Sequence, residues 1–187
     1  MRFVKAQECD APVLAKILRE VSKDVVDCLL KDLLPGVSSE QILTMVLSDT
    51  NSHFSYKNCL LARESTVQGM ILAYDAVEHT IPALMRVLIP AERIKKVEPI
   101  LVRAPEDSFY LNTIWVSQPM RGTGLADQLL FCAELLTTES GRTKLSLFVQ
   151  HSNHRAIAFY KRHGFRVVSS VCDVAPSFAG DLYVKDL

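Results

Sequence analysis

The chain has 187 residues with 21 basic and 21 acidic side chains, enough for one sizeable core and no formal net charge. That balance leaves no electrostatic footprint for nucleic acid or an anionic membrane surface, and no apolar run approaches the length of a membrane span. The five cysteines (Cys9, Cys28, Cys59, Cys132 and Cys172) have no CxxC or metal spacing and read as reduced, buried thiols of a cytoplasmic protein; the five histidines form no metal-binding cluster.

Met1–Gln7 lacks the apolar core of a signal peptide, and Arg2–Ala6 reads as a first strand. Asp10 can cap a helix with Pro12 in its first turn, running to about Lys31, with Leu14, Ile17, Leu18, Val21 and Val25 on one face. Leu34-Pro35-Gly36 ends it. Ser38-Ser39-Glu40-Gln41 has the form of a capping box and starts a second helix to about Leu47. Residues 58–63 and 67–74 read as a hairpin turning near Glu64–Thr66. Pro82, Pro90 and Pro99 punctuate residues 76–107, which favours short helices there. Strand 109–116, helix 122–139, strand 143–150, helix 153–163 and closing strands at about 165–173 and 181–185 complete an α+β string. With no repeat, low-complexity tract or linker, residues 1–187 read as a single domain.

The most informative stretch lies where strand 109–116 meets helix 122–139. The connecting turn carries Arg121, Gly122 and Gly124. Glycines let backbone approach a ligand closely, and the open N–H groups of a helix's first turn favour phosphate oxygens. There is no GxxxxGK[ST] loop, and Asp127 stands where a dinucleotide fingerprint needs its third glycine. Taken alone, the turn also fits an ordinary strand–turn–helix connection. Arg121-Gly122-Thr123-Gly124-Leu125-Ala126 nevertheless resembles the acyl-CoA-binding signature Q/R-x-x-G-x-G/A of the GNAT superfamily of N-acetyltransferases. About thirty residues on, Asn153-x-x-Ala156-x-x-Phe159-Tyr160-x-x-x-Gly164-Phe165 is similar to that superfamily's second motif. Two motifs in the right order and at the right distance carry the resemblance over residues 107–170.

The resemblance implies a mixed, mostly antiparallel sheet of six to seven strands with helices on both faces, an α/β/α sandwich. It implies that strands 109–116 and 143–150 splay to admit the pantetheine arm of acetyl-CoA, the co-substrate. Backbone groups of Ile114, Trp115 and Val116 would bond its amides, and those of Arg121 to Ala126 its pyrophosphate. Trp115's own side chain reads as a core or sheet-face aromatic. Asn153 either contacts the cofactor or caps its helix; Ala156, Phe159 and Tyr160 complete the cofactor set. Tyr160 is the candidate general acid, since a phenol stays protonated at neutral pH and can donate to the leaving sulfur.

The sequence departs from the family pattern at the base. A glutamate is common eleven residues ahead of the arginine; here that place holds Tyr110, with Asn112 as its same-face neighbour. Asp75, Glu78, His79 and Asp107 are the other candidates, each also readable as an ordinary turn or surface residue. By resemblance, residues 22–57 and 76–110 build the acceptor site, where Asp24, Asp27, Asp32 and Asp49 are offset by Lys23, Lys31 and Lys57. The expectation is a cytoplasmic N-acetyltransferase, monomeric or homodimeric. It would move an acetyl group to an amine, small or amino-acid-like rather than a protein N-terminus or lysine. The other reading is an acyl-CoA-binding sensor of the same fold that has lost turnover.

Overall fold

A computed structural model describes residues 1–100, 104–172, 175 and 177–187. In chain order the elements are β1 Arg2–Lys5, α1 Ala11–Val21, α2 Lys23–Leu30, α3 Ser39–Ser48, β2 Cys59–Arg63, β3 Val67–Asp75, α4 Ala83–Leu88 and α5 Ala91–Val97. They continue with β4 Ser108–Val116, α6 Leu125–Glu139, β5 Lys144–Gln150, α7 His154–Arg162, β6 Arg166–Val171 and β7 Gly180–Asp186. Among the described residues the strands form one seven-stranded sheet in the order β1-β2-β3-β4-β5-β7-β6, antiparallel except at β4/β5. The α+β sandwich expected from the sequence is therefore the observed architecture.

Alternation along the strands builds a core on each face. Met70, Leu72 and Tyr74 of β3 join α1–α5, with Leu14, Leu30 and Ile42 fully buried. Ile71 and Ala73 point the other way, to Leu129 and Ala133 of α6 and Tyr160 of α7. Each fully buried leucine of this kind stabilises the fold by about 1.5–3 kcal/mol relative to exposure.

Four local expectations need correcting. The helix expected from Asp10 to Lys31 is two helices, broken at Ser22 (φ −117°, ψ 38°). α1 packs on α3 whereas α2 packs on α5, where Arg93 bonds the Leu29 and Lys31 carbonyls at 3.2 and 2.7 Å, and one straight helix cannot serve both neighbours. Asp10 precedes α1 but its side chain does not cap it; the buried carboxylate pairs with Arg63 of β2 and turns back to the Gln7 amide, capping the short turn Glu8–Asp10 instead. Helix α6 starts at Leu125, not 122, because Gly122 and Gly124 have φ of 82° and 87°. Of the cysteines, all unpaired, only Cys59 is buried, and burial foremost pushes its thiol up to about 12; Cys9 and Cys172 are exposed. The strand expected at 165–173 is Arg166–Val171, and its expected last residue, Asp173, lies outside the described residues. No described helix is long and apolar enough to cross a membrane.

One irregularity positions everything that follows. Leu72 of β3 pairs with Thr113 and Ala73 with Leu111, so Asn112 is an extra residue in β4. The bulge reverses side-chain parity. Phe109 and Leu111 face the α6 core, but beyond it Ile114 and Val116 do, while Trp115 faces the opposite core.

Candidate functional site

β4 and β5 run parallel for only three pairs, Ser108↔Lys144 to Tyr110↔Ser146. The joint is held by buried Ser108 and Ser146, whose hydroxyls lie 2.8 Å apart. Past Tyr110, β4 stays zipped to β3 and β5 to β7, so the sheet opens between them toward their C-terminal ends. Backbone donors and acceptors on the facing edges are left without a strand partner. A cavity of about 260 Å³ passes through this gap, lined by Thr113 and Ile114 of β4 and Phe148 to Gln150 of β5. It reaches Leu18, Val26 and Met85 on one face of the sheet and Asn153, Ala156 and Tyr160 on the other.

Both sequence motifs flank the mouth. At the end of β4, the chain passes through Gln118–Met120 into the Arg121 turn. Gln128 is the first α6 amide bonded backward, to Gly124 at 3.2 Å, so the amides of Leu125, Ala126 and Asp127 keep no helical partner. A Cβ at Gly122 or Gly124 would meet no protein atom within 4 Å, so the positive φ, not crowding inside the chain, calls for glycine there. Arg121 braces the turn, its Nε donating to the Val116 carbonyl at 3.3 Å and its Nη2 lying 3.6 Å from Glu20. The Thr123 hydroxyl closes the turn on the Met120 carbonyl at 2.7 Å, and Leu125 is buried under it. These free amides, with the dipole of a fifteen-residue helix, fit a pyrophosphate.

At the end of β5, Asn153 caps α7 through Oδ1, which accepts from the Ala156 amide at 3.1 Å, and it also lines the cavity. Tyr160 lies about two turns further along α7, buried, and its hydroxyl makes no hydrogen bond among the described residues. Burial, then the neighbouring Tyr110, pushes its phenol well above the usual tyrosine range. Phe159 and Trp115 do not line the cavity. Phe159 packs against Tyr160 and His163, and Trp115 packs in the α1–α5 core with Nε1 buried and unpartnered. Any role of these two toward a cofactor falls to the backbone or to support of neighbours.

The structure sorts the base candidates. Asp75 is paired with Arg142 and caps the turn at Val77; Asp107 is paired with Lys144, whose hydrogen bond holds its carboxyl low; Glu78 is exposed. Only His79 reaches the cavity. Its ring stacks on Tyr110 with centroids 3.8 Å apart, so it stands beside the place where the family pattern has its glutamate. Burial, with the nearby His53, lowers its pKa to about 4, so it is neutral at pH 7. His79 Nδ1 lies 3.0 Å from the Tyr74 hydroxyl, which lies 3.1 Å from Asn112 Nδ2, and Asn112 Oδ1 accepts from Thr113 at 3.0 Å. Exchanging the near-isosteric O and N of Asn112 reverses every bond at the same heavy-atom distances, so Nε2 can present either N–H or a lone pair. Nε2 itself is buried and has no hydrogen-bond partner among the described residues. Sequence reasoning missed Tyr74 and His53, and nothing local in the sequence signals them.

His79 also gives a stability prediction. The unfolded chain protonates it near 6.5, the folded chain only near 4, so between those values the unfolded state binds more protons. Stability should therefore fall as the pH is lowered through that window, by about 3 kcal/mol at pH 4 relative to neutral pH from this side chain. Urea unfolding at pH 7 and pH 4.5 checks it: His79→Gln should lose much of the acid sensitivity, and an unchanged slope would remove the assignment.

With this geometry in hand, comparison with known proteins is informative. A family model described as acetyltransferase (GNAT) family matches residues 38–165, which contain both motifs. The blasticidin-S acetyltransferase of Streptomyces morookaense is 31% identical over 78 residues, 42% of this chain and 57% of that protein, so the match spans little more than half of the relative. Among solved structures, an N-acetyltransferase from Staphylococcus aureus Mu50 superposes with TM-score 0.77 at 23% identity, covering 99% of this chain and 100% of that one. The PaiA N-acetyltransferase from Thermoplasma acidophilum, solved with coenzyme A, gives 0.58 at 17%, covering 100% and 98%. At such identities the structural likeness is one of fold.

Proposed function

The chain belongs to the GNAT acetyltransferase family, and from that premise we propose that it moves an acetyl group from acetyl-CoA to a primary amine, by direct attack with both substrates bound. The observation that carries this reading is the through-sheet cavity. It joins the open edges of β4 and β5 to Tyr160 on one side and continues into a chamber walled mostly by apolar side chains on the other. Acetyl-CoA supplies an activated thioester. The free amides from Leu125 to Asp127 hold its pyrophosphate, and the unpaired edge of β4 around Ile114 to Val116 holds the pantetheine amides.

The chain's own residues then handle two protons. As the amine nitrogen bonds the acetyl carbon and the carbon–sulfur bond breaks, Tyr160 donates its hydroxyl proton to the departing sulfur. With the Asn112 amide turned so that its oxygen accepts from Tyr74 and Tyr74 accepts from His79 Nδ1–H, the reverse of the donation from Nδ2, His79 offers a lone pair at Nε2 and takes the proton shed by nitrogen. Tyr74 and Asn112 fix the imidazole and are positioning residues. Asn153 keeps its Nδ2 for the cofactor while Oδ1 caps the helix.

A small acceptor is supported by the cavity's modest volume, about 260 Å³, and by the likeness to a relative named for one compound, blasticidin-S. Retention of a neutral histidine where the glutamate is missing favours turnover over a sensor role. Thiol release from acetyl-CoA across an amine panel, with CoA affinity measured alongside, tests the proposal. Turnover with at least one amine is expected; tight CoA binding without any thiol release would make the chain a sensor.

A further inference from the structure

The chamber on the acceptor side is notable for what lines it. Leu18, Val26, Leu29, Ile81 and Met85 form its walls, His79 and Tyr110 its polar floor, and no Asp, Glu, Lys or Arg lines it among the described residues. The acidic side chains that could have given an anionic, cation-binding groove are elsewhere: Asp27 faces Lys23, Glu20 faces Arg121, and Asp24 is exposed. The charged groups of the other flanking helices are likewise committed outward. Arg86 donates to the Ile81 carbonyl, Arg93 to the end of α2, and Glu40 pairs with Arg19. An ammonium entering this chamber would lose its water and find no counter-charge among the described residues, which disfavours the charged form there.

We infer that the acceptor is an apolar primary amine, aryl-alkyl or aliphatic with no second charge, taken up in its unprotonated form. This rests on the transferase reading above and goes beyond it by naming the acceptor class. The floor explains why the chamber holds an amine rather than a long acyl chain. His79 Nε2 is buried without a partner, and an amine nitrogen satisfies it whereas a methylene chain leaves it orphaned. Between pH 7 and pH 9, the range of the test below, the described groups facing the chamber keep their charge state. His79 is neutral above about 4, burial lowers His53 behind it, and the phenols of Tyr110, Tyr160 and the deeper Tyr74 are all raised, Glu78 adding to the last. The pH dependence of uptake therefore belongs to the amine.

Calorimetric titration of the protein saturated with CoA, which cannot transfer, tests this by binding alone. The probes are 2-phenylethylamine, an arylamine that is uncharged throughout the range, and spermidine. Apparent affinity for 2-phenylethylamine should rise about tenfold per pH unit between pH 7 and pH 9, following its neutral fraction. The arylamine should show no such rise, and spermidine should bind at least about a hundredfold more weakly at pH 7. Thr80→Asp, at an exposed position of the lining, should flatten the slope and admit spermidine. Equal affinity for 2-phenylethylamine across pH, or a preference for spermidine in the unmodified protein, overturns the inference. So does displacement of 2-phenylethylamine by hexanoyl-CoA but not acetyl-CoA, which would give the chamber to the acyl chain. A protein that binds the apolar amine yet never acetylates it would refute the transferase and leave this inference standing.

Discussion

Replacing Tyr160 with phenylalanine is expected to lower kcat by about a hundredfold or more, at every pH from 6 to 9.5, with the CoA dissociation constant unchanged. The hydroxyl reaches the cavity and has no protein partner among the described residues, so its loss removes no structural hydrogen bond and should leave the urea midpoint in place. Its raised pKa keeps the proton available across the whole range, so the native enzyme should show no alkaline limb in kcat from this group. The low pKa of His79 likewise puts the acid limb of kcat near 4 rather than near 6.5. A flat kcat between those limits, beside a kcat/KM that climbs with the neutral fraction of the amine, separates enzyme groups from substrate. If Tyr160→Phe turns over at the native rate, the phenol is only a buried helix residue.

What the sequence made legible was what is local. The glycine turn and Asn153 declare themselves within a few residues, because a left-handed φ and an N-cap are satisfied by the residue itself and its near neighbours. The same holds for the Ser38–Gln41 capping box and the proline-punctuated helices α4 and α5. The break at Ser22 was hidden because the apolar periodicity runs through it; only α3 and α5, packing at different places, split the helix. The bulge at Asn112 was hidden for another reason. Ile114-Trp115-Val116 is apolar on both faces, so no polar partner marks which way each residue points. The stacking of His79 on Tyr110, which holds the place of the expected glutamate, is a contact between distant segments, with no trace in spacing. So the two contiguous motifs that flank the cavity mouth were legible, and residues 22–57 and 76–110 were named for the acceptor only by resemblance, while the particular side chains of α1, α2, α4, α5 and β4 that meet in the cavity are fixed by tertiary packing.

The glycine turn allows the sharpest separation of backbone shape from ligand contact. Gly124→Val should weaken CoA binding by about a hundredfold, the equivalent of about 3 kcal/mol. Two effects contribute. A β-branched residue at φ 87° is strained, and its side chain would stand in the open space over the α6 amides, where the pyrophosphate is proposed to sit. Two companions divide them. Gly141, at the far end of the same helix, also has a positive φ (75°) and open space at its Cβ, so Gly141→Val carries comparable strain without approaching the proposed phosphate seat. It should lose similar stability and bind CoA normally. Gly124→Asn tolerates the left-handed conformation and should recover most of the stability, yet still bind CoA poorly because its side chain occupies the approach. Were the asparagine variant to regain full affinity, the glycine would serve only the turn, and the phosphate would have to be held elsewhere along the mouth.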